Sequence, residues 1–417
     1  MARLLTIPRA PSAPRIAPAD APRRGGSLLE RVGSWPFVLA AWASSRALFL
    51  VTGAIGAHAL RQANAVGFPR EPDGILNYWA HWDGGWFSSI ATQGYGATLW
   101  PASANFFPVF PFLVNAGTLL GAGPALAGVV ISLAASLLAL WFLYELAADL
   151  LSPEAARAAT LALAFFPTSF FLNAVYSEAI FLALAIGAVW AARVRGNFLL
   201  AAILGGLAAD TRNVGIFLLL PLLHEALRRR HEAGWSALAP LLIVPAGLLS
   251  YMAWLWRWSS HPLLFMTVVH RTWGRTVADP VTTLRRAWTV AETGAVWAVH
   301  PGRVFATASP NPSFGAMETF NLVFLALLAV CVLAAFVRLP LGLALYGACA
   351  AAIPVLTPAS FSPLASLPRY FLAVFPAFLV LGWLLAGRRL LLAGWLVASS
   401  ALGVLLTLYF TTWRWVA

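Results

Sequence analysis

The sequence predicts an all-α, polytopic membrane protein, and three observations support this fold class. Of its 417 residues, 60% are hydrophobic and only 10% are charged, which leaves too little polar surface to cover a soluble globule. Apolar runs long enough to cross a bilayer recur along nearly the whole chain after residue 35. Runs such as 133–143 and 322–337 are apolar on every face, whereas the strands of a membrane barrel alternate polar and apolar positions. The spans are therefore predicted to be helices.

The arginines predict how the chain is oriented in the membrane. The formal net charge is +12, yet many of the arginines lie in short segments directly after apolar runs. Cytoplasmic loops carry such an excess of basic residues. The segments predicted to lie inside contain Arg193, Arg195, residues 228–230, Arg338, Arg388 and Arg389. The charge thus indicates membrane topology rather than a nucleic-acid partner.

A single membrane domain is predicted over residues 35–417, preceded by a disordered basic tail over residues 1–34. The first span, at about 35–60, leads outward because the arginines of the tail hold its N-terminal end inside. Two sizeable extracytoplasmic loops follow, at about 61–105 and 258–315. The remaining spans are predicted near 124–148, 157–173, 178–194, 235–256, 316–337, 341–357, 368–386 and 390–412.

Two further segments complete a predicted count of about ten or eleven transmembrane helices. Residues 106–121 are apolar but short and contain Pro108 and Pro111, which favours a re-entrant or interfacial segment. Residues 197–223 allow one long helix, but polar residues at 210–213 interrupt the middle and arginines flank both ends. A hairpin of two half-helices fits this distribution of basic residues better.

Polar residues that suit group transfer fall on one predicted side of the membrane. Under this topology Asp83, Tyr176, Glu178 and Arg369 all lie at or near the extracytoplasmic surface. Transfer of a sugar from a polyprenyl phosphate to an acceptor hydroxyl requires a base for the hydroxyl and cations for the leaving phosphate. The sequence therefore predicts such a transfer at the outer face of the cell membrane.

Asp83 is the candidate catalytic base. It lies among aromatic residues of the first outside loop, where Trp82 and Trp86 can hold the backbone at the bilayer surface. The alternative is a structural role, because an Asp before two glycines also suits the N-cap of a short helix. The two roles are compatible. His81 and Trp82 are candidates for binding the substrate beside it.

Glu178 and Tyr176 are further substrate-binding candidates. Glu178 opens an apolar run, so its carboxylate either stabilises a helix N-terminus or orients the acceptor. Ionisable groups at membrane depth are costly without a partner. Because of that cost, both interpretations of Glu178 remain open: helix capping and a role in substrate binding.

Cations for a phosphate are expected at Arg369, Arg271 and Arg212. Arg369 lies outside, against the positive-inside bias, and its planar guanidinium suits two phosphate oxygens, with Tyr370 beside it as a donor. The alternative for Arg369 is snorkelling to lipid headgroups, and for Arg271 it is solvation. For Arg212 the favoured interpretation is structural: it neutralises Asp210 or the two residues cap half-helices.

The order and spacing of these motifs resemble those of the PIG-V-type mannosyltransferases, related to the second mannosyltransferase of GPI-anchor synthesis. The resemblance implies a GT-C fold, a polyprenyl- or dolichyl-phosphate-mannose donor, inversion at the anomeric carbon and an essential Asp in the first outside loop, here Asp83. The expected acceptor is an extracytoplasmic lipid or glycan. The matching segments are His81-Trp82-Asp83-Gly84-Gly85-Trp86-Phe87 with Gly94-Tyr95, Phe106-Phe107-Pro108-Val109-Phe110-Pro111, Phe166-Pro167-Thr168-Ser169-Phe170-Phe171 with Tyr176-Ser177-Glu178, Ala209-Asp210-Thr211-Arg212-Asn213, and Pro368-Arg369-Tyr370.

Metal and cofactor sites are not predicted. The seven histidines show no HExxH or paired metal-ligand spacing. The chain also carries no Gly-rich phosphate loop, and a nucleotide-sugar donor is disfavoured because the chain has no room for a nucleotide-binding domain. The alternatives to an enzyme are a transporter or flippase, for which the break at Asp210 would line a path, and a noncatalytic scaffold.

Overall fold

The protein is helical wherever its structure is described. The structure is a computed structural model that describes residues 28–64, 74, 76–96 and 100–416. Within these ranges the chain forms α-helices and short 3₁₀ helices and no strand, so the predicted all-α class is confirmed. The first helix begins at Leu28, inside the predicted tail, and residues 1–27 of that tail lie outside the described residues.

Eighteen α-helices follow one another in the described ranges. Those of the first half are α1 (Leu28–Ala59), α2 (Asp83–Gln93), α3 (Val109–Leu119), α4 (Pro124–Leu150), α5 (Pro153–Ala164), α6 (Glu178–Arg193), α7 (Phe198–Ala209), α8 (Leu219–Arg228) and α9 (Arg230–Ala233). Those of the second half are α10 (Ile243–Ser259), α11 (Leu264–Trp273), α12 (Pro280–Val299), α13 (Pro301–Ala306), α14 (Asn311–Arg338), α15 (Leu341–Leu356), α16 (Leu367–Ala373), α17 (Phe375–Leu385) and α18 (Arg389–Thr411).

Several of these helices are long and apolar enough to cross a membrane. Within the described residues there are five, and a sixth span results if α16 and α17, which meet at 84°, are taken together. The predicted polytopic architecture is thereby confirmed. The five are Ser34–Ala59, Pro124–Leu150, Trp235–Ser259, Phe314–Arg338 and Arg389–Thr411.

The predicted number of about ten or eleven spans exceeds this set because some predicted spans are short helices joined through breaks. The predicted span at 157–173 is wrong in its second half, since α5 ends at Ala164 and a 3₁₀ turn, Ser169–Leu172, follows. Pro167 lies at that break and has no N–H to continue a helix. The expected hairpin within 197–223 is present as α7 and α8, with a 3₁₀ helix, Asn213–Leu218, between them.

A buried arginine of α1 holds the irregular chain that follows α5. The Arg46 guanidinium donates to the carbonyl oxygens of Ala164 and Ser169, at 2.7 and 2.6 Å, and to Oδ1 of Asn173 at 2.8 Å. Non-helical backbone in a dry interior needs such donors, because its carbonyl groups cannot bond to water. Arg46 therefore stabilises the segment that leads to Tyr176 and Glu178.

We expect the substitution Arg46→Met to lower the free energy of unfolding by about 3 kcal/mol or more. The reason is that three buried oxygens lose their donor, at roughly 1–3 kcal/mol each. The measurement is the midpoint of thermal unfolding of the purified protein in detergent. Arg257, exposed on α10, provides the control Arg257→Met, which is expected to melt with the wild type. Equal midpoints for Arg46→Met and the wild type would show that Arg46 has no such role.

Helix α6 connects two polar clusters at opposite ends of the helical bundle. At its C-terminal end Arg193 pairs with Asp149 at 2.7 Å and with Glu225 at 2.8 Å, and Glu225 also pairs with Arg228. At its N-terminal end lies Glu178. A rise of about 1.5 Å per residue places these two ends roughly 22 Å apart. Two of the arginines predicted to be cytoplasmic therefore lie far from Glu178.

The two predicted outside loops contain helices of their own. Residues 61–105 include α2 and the 3₁₀ helices Asn77–Ala80 and Ala102–Asn105, and residues 258–315 include α11, α12 and α13. The helix α3, Val109–Leu119, has only 11 residues, which agrees with the expectation that residues 106–121 do not span the bilayer. Of these helices, α2, the 3₁₀ helix Ala102–Asn105 and α11 line the candidate site, together with the tip of the α7–α8 hairpin.

Candidate active site

A cavity of about 640 Å³ lies among α2, the N-terminus of α6, the tip of the α7–α8 hairpin, α11, α15 and α16. Its charged lining residues are Asp83, Glu178, Arg212, Arg275 and Arg369. These residues come from five separate parts of the chain, and much of the remaining wall is aromatic or aliphatic. The cavity thus brings carboxylates and guanidinium groups together in surroundings where charges interact strongly.

Asp83 and Arg369 form a direct ion pair in this cavity. Nη1 of Arg369 lies 2.6 Å from Oδ2 of Asp83, and the two side chains are only 10% and 14% exposed. The Arg369 side chain is therefore turned into the protein rather than toward lipid headgroups, which removes snorkelling as the explanation of its position. Asp83 is likewise engaged by a cation and not by its own helix.

Glu178 contacts two arginines of the cavity, Arg212 and Arg369. Its Oε1 accepts a hydrogen bond from Nη1 of Arg212 at 2.5 Å and lies 3.5 Å from Nε of Arg369. The Glu178 side chain is almost fully buried, and its Oε2 makes no hydrogen bond within the described residues. Glu178 begins α6 as expected, but its carboxylate is directed at arginines, so helix stabilisation alone does not account for it.

The start of α2 fixes the position of Asp83. Asp83 is the first residue of α2 and Trp82 the residue before it, with φ of 56°, a left-handed conformation that costs energy for a residue with a side chain. The Tyr176 hydroxyl accepts a hydrogen bond from the Asp83 N–H at 3.1 Å and donates one to the His81 carbonyl at 3.0 Å. Burial raises the pKa of Tyr176 well above its ordinary value, so the hydroxyl keeps the proton that it donates.

The start of α16 fixes the position of Arg369. Ser366 precedes this helix with φ of 68°, and Pro368 occupies its first turn, where the missing N–H costs nothing. The Thr168 hydroxyl donates to the Pro368 carbonyl at 2.7 Å. The guanidinium of Arg369 then lies 5.5 Å from the ring centre of Tyr176, a distance at which a cation is attracted to an aromatic ring.

Comparison with known proteins covers the part of the chain that carries Asp83, Glu178 and Arg212. Residues 60–234 match the family model described as mannosyltransferase (PIG-V). The match covers less than half of the chain and supports the predicted resemblance to the PIG-V-type mannosyltransferases over these residues. Among the quoted segments, 368–370 alone lies outside the matched range. No curated protein matches the chain in sequence.

Three solved structures are also similar to this chain. The structure of ArnT from Cupriavidus metallidurans in the apo state has a TM-score of 0.46 and 16% identity, over 83% of this chain and 59% of that one. The Archaeoglobus fulgidus oligosaccharyltransferase has a TM-score of 0.38 and 13% identity, over 88% and 53%. ArnT bound to undecaprenyl phosphate gives 0.38 and 14%, over 88% and 77%. The chain thus spans 59% of the length of the first of these structures.

The expected pairing of Arg212 with Asp210 is wrong. Arg212 follows the break after α7 and reaches Glu178, as described above, and it also donates to Oγ of Ser177 at 3.3 Å. Asp210 does not line the cavity, and its Oδ1 makes no hydrogen bond within the described residues. The two side chains diverge because the chain reverses between α7 and the 3₁₀ helix that follows.

Three predicted substrate-binding residues lie outside the cavity lining. The His81 ring stacks on Trp413 at 3.9 Å between centres, and Trp82 packs against Trp413 and Trp415. Arg271 is exposed in the last turn of α11. His81 and Trp82 therefore support the segment that carries Asp83, while Arg271 is exposed and does not line the cavity. Tyr370, by contrast, lines the cavity as expected.

Among the cavity residues that were not predicted to bind substrate are Arg275 and Trp415. Arg275, in the same basic stretch as Arg271, lines the cavity, and its guanidinium lies 5.4 Å from the ring centre of Tyr370. The guanidinium groups of Arg212 and Arg369 lie 5.9 and 5.8 Å from the same ring. Trp415 is 6% exposed and also lines the cavity. The chain after α18 folds inward, which buries it.

Proposed function

We propose that this protein is a glycosyltransferase that transfers mannose from a polyprenyl phosphate carrier to a hydroxyl group of a lipid or glycan acceptor, with inversion at the anomeric carbon. One observation carries the proposal. A carboxylate, Asp83, and a guanidinium, Arg369, meet in a single cavity that has both a charged cluster and an apolar wall. These are the two groups that the reaction requires, and they lie where a lipid-linked sugar can reach them.

The apolar wall of the cavity supports a lipid-linked donor. Met266 and Val277 line the cavity and are nevertheless 58% and 87% exposed, so the mouth of the cavity presents apolar side chains to its surroundings. Ile353 and Pro354 of α15 continue this wall inward. In a bilayer an isoprenoid chain can enter such a mouth without removing polar groups from water, while the phosphate reaches the charged cluster.

The charge of the cluster supports a phosphodiester. Three arginines and two carboxylates line the cavity, which leaves one net positive charge for the single negative charge of a polyprenyl phosphate sugar. The phosphate gains a second negative charge when the sugar departs, and guanidinium groups stabilise that charge best in a water-poor cavity. The proposal draws on these side chains and on no cofactor.

The proposed reaction assigns a step to each member of the ion pair. Arg369 turns from Asp83 to the donor phosphate, which frees the carboxylate. The acceptor oxygen then attacks the anomeric carbon of mannose from the face opposite the phosphate, and Asp83 takes the hydroxyl proton. The bond between the anomeric carbon and the phosphate oxygen breaks, and polyprenyl phosphate leaves with its electron pair.

The other site residues have supporting roles in this proposal. Glu178 holds Arg212 beside Arg369, and Arg212, Arg275 and Tyr370 face the phosphate together with Arg369. Tyr176 holds the backbone on both sides of Trp82. His81 and Trp82 act through packing, and Arg271 serves as a cation at the surface near the cavity mouth.

We place the reaction at the extracytoplasmic face of the cell membrane. The support is the polarity of α6, whose C-terminal end carries the Arg193 cluster and whose N-terminal end opens the cavity. Basic clusters mark the cytoplasmic side, so the cavity opens on the other side. Polyprenyl-phosphate sugars and the hydroxyl groups of exported lipids or glycans are available there.

The choice of donor tests the proposed function. Purified protein is incubated with polyprenyl phosphate carrying radiolabelled mannose and with a lipid and glycan extract of the host, in parallel with labelled GDP-mannose. We expect label from the lipid-linked donor in a new product and none from the nucleotide sugar. Transfer from GDP-mannose, or no product from the lipid-linked donor, would contradict the proposal.

The alternative transporter function lacks its expected feature. A transport path predicts that Asp210 and Arg212 line one continuous cavity. Arg212 lines the cavity but Asp210 does not, and Arg212 is paired with Glu178. The structure therefore favours group transfer over transport.

A further inference from the structure

The loop 357–366, between α15 and α16, determines where Arg369 lies. It contains Pro358 and Pro363, which lack the N–H needed for regular helical bonding. Arg369 follows the loop in the first turn of α16. The conformation of this loop therefore decides whether the guanidinium of Arg369 reaches the cavity.

A buried carboxylate, outside every segment used so far, binds the middle of this loop. Glu318 of α14 is 0% exposed. One oxygen accepts hydrogen bonds from the Ser362 hydroxyl and from the Asn321 amide, the latter at 3.1 Å, and the other accepts from the Leu364 N–H at 3.0 Å. Glu318 thus contacts the loop at two points on either side of Pro363.

Arg275 binds both ends of the same loop. Its Nη1 donates to the Thr357 carbonyl at 2.8 Å and its Nη2 to the Ala365 carbonyl at 2.7 Å. Because Arg275 also lines the cavity, the loop lies between a buried anion and a cavity cation, which attract each other. Displacement of the loop would therefore move two of the three cavity arginines.

A purely structural role does not account for a charged group at this position. Burial of a carboxylate costs several kcal/mol unless it is well bonded, and an apolar side chain of similar size often stabilises a core more. A glutamine offers one acceptor and presents its NH₂ group to donors at the other position. A carboxylate, which only accepts, takes hydrogen bonds from Ser362, Asn321 and Leu364 at once.

We propose that Glu318 is a positioning residue for phosphate binding: through the loop 357–366 it fixes Arg369 and Arg275 in the orientation that receives the donor phosphate. This inference rests on the proposed function. It assigns to Glu318 an effect on affinity for a phosphate that it does not itself touch.

The test measures binding of farnesyl phosphate, a short isoprenyl phosphate, to the purified protein. We expect Glu318→Gln to raise its Kd about tenfold, the loss of one hydrogen bond to a charged group, and Glu318→Asp to recover part of the affinity. Ser362→Ala, which removes one donor to Glu318, is expected to raise the Kd in the same direction by less. The matched control is Glu292→Gln, since Glu292 is exposed on α12 and bonds only Trp288 within the described residues.

The outcomes separate this inference from the proposed function. Wild-type affinity in folded Glu318→Gln and Ser362→Ala, even with a lower melting temperature, would reduce Glu318 to a structural role. If Glu318→Gln does not fold, the Kd of Ser362→Ala for farnesyl phosphate is the test of the inference. A wild-type protein that does not bind farnesyl phosphate at all would overturn the proposed function, and this inference with it.

Discussion

Asp83→Asn is expected to slow mannose transfer about 10²- to 10⁴-fold, the usual contribution of a general base. Asparagine has nearly the same shape but cannot take the proton of the acceptor hydroxyl. Arg369 retains Glu178 as a counter-ion, at 3.5 Å, so the substitution does not leave a buried cation alone. The measurement is the initial rate of labelled product formation at saturating donor.

The control for this prediction is Asp279→Asn. Asp279 caps α12 by accepting a hydrogen bond from the Thr282 N–H at 2.9 Å, and asparagine caps a helix about as well. Both variants are expected to be extracted and to melt like the wild type, while Asp279→Asn retains full activity. Full turnover by Asp83→Asn would remove Asp83 from the catalytic role.

Arg369→Lys is the second substitution with a large expected effect. Lysine keeps the positive charge, so Asp83 and Glu178 are not left as unpaired buried carboxylates, but it lacks the fork that binds two phosphate oxygens. We expect the transfer rate to fall about 10²- to 10³-fold, as for removal of one donor that stabilises developing charge, and the KM for the donor to rise.

The measurements for Arg369→Lys are kcat and KM for the donor, together with inhibition by polyprenyl phosphate. Product inhibition is expected to weaken, since the dianion has lost its best partner. Arg257→Lys, on the exposed face of α10, is the matched control and is expected to behave as wild type. Unchanged product inhibition in Arg369→Lys would mean that another group receives the phosphate.

The main residues of the site can be predicted from the sequence of a membrane protein, because polar residues on one side of the membrane stand out against the apolar spans. Asp83, Glu178 and Arg369 each follow or begin an apolar run on the same predicted side, and the structure brings all three into one cavity. The partners of each charge were harder to predict. Arg212 lies two residues from Asp210 yet pairs with Glu178, because the reversal of chain direction after α7 decides the direction of its side chain.

The second loop shows a related difficulty. Arg271 and Arg275 are four residues apart in a stretch with several cations. Gly274 lies between them with φ of 60°, a left-handed conformation that glycine adopts at little cost. It ends α11 and turns Arg275 toward the loop 357–366, leaving Arg271 at the surface. Composition alone does not distinguish these two residues.

Glu318 had a signal that sequence reasoning did not use. It is a lone carboxylate near the start of a long apolar run, and an ionisable residue within such a segment indicates a functional partner. Its partner could not be identified without the fold, since Ser362 and Leu364 are more than forty residues away. The early end of α5 could likewise not be predicted, because the hydrogen-bond donors for the irregular chain after it come from Arg46 in a distant helix.

A structure of this protein with bound polyprenyl phosphate, the proposed product, is the most direct test of the account. We predict phosphate oxygens within hydrogen-bonding distance of Arg369 and Arg275, an isoprenoid chain leaving past Met266 and Val277, and an Asp83 carboxylate that no longer contacts Arg369. A phosphate bound elsewhere, with the Asp83–Arg369 pair intact, would contradict it.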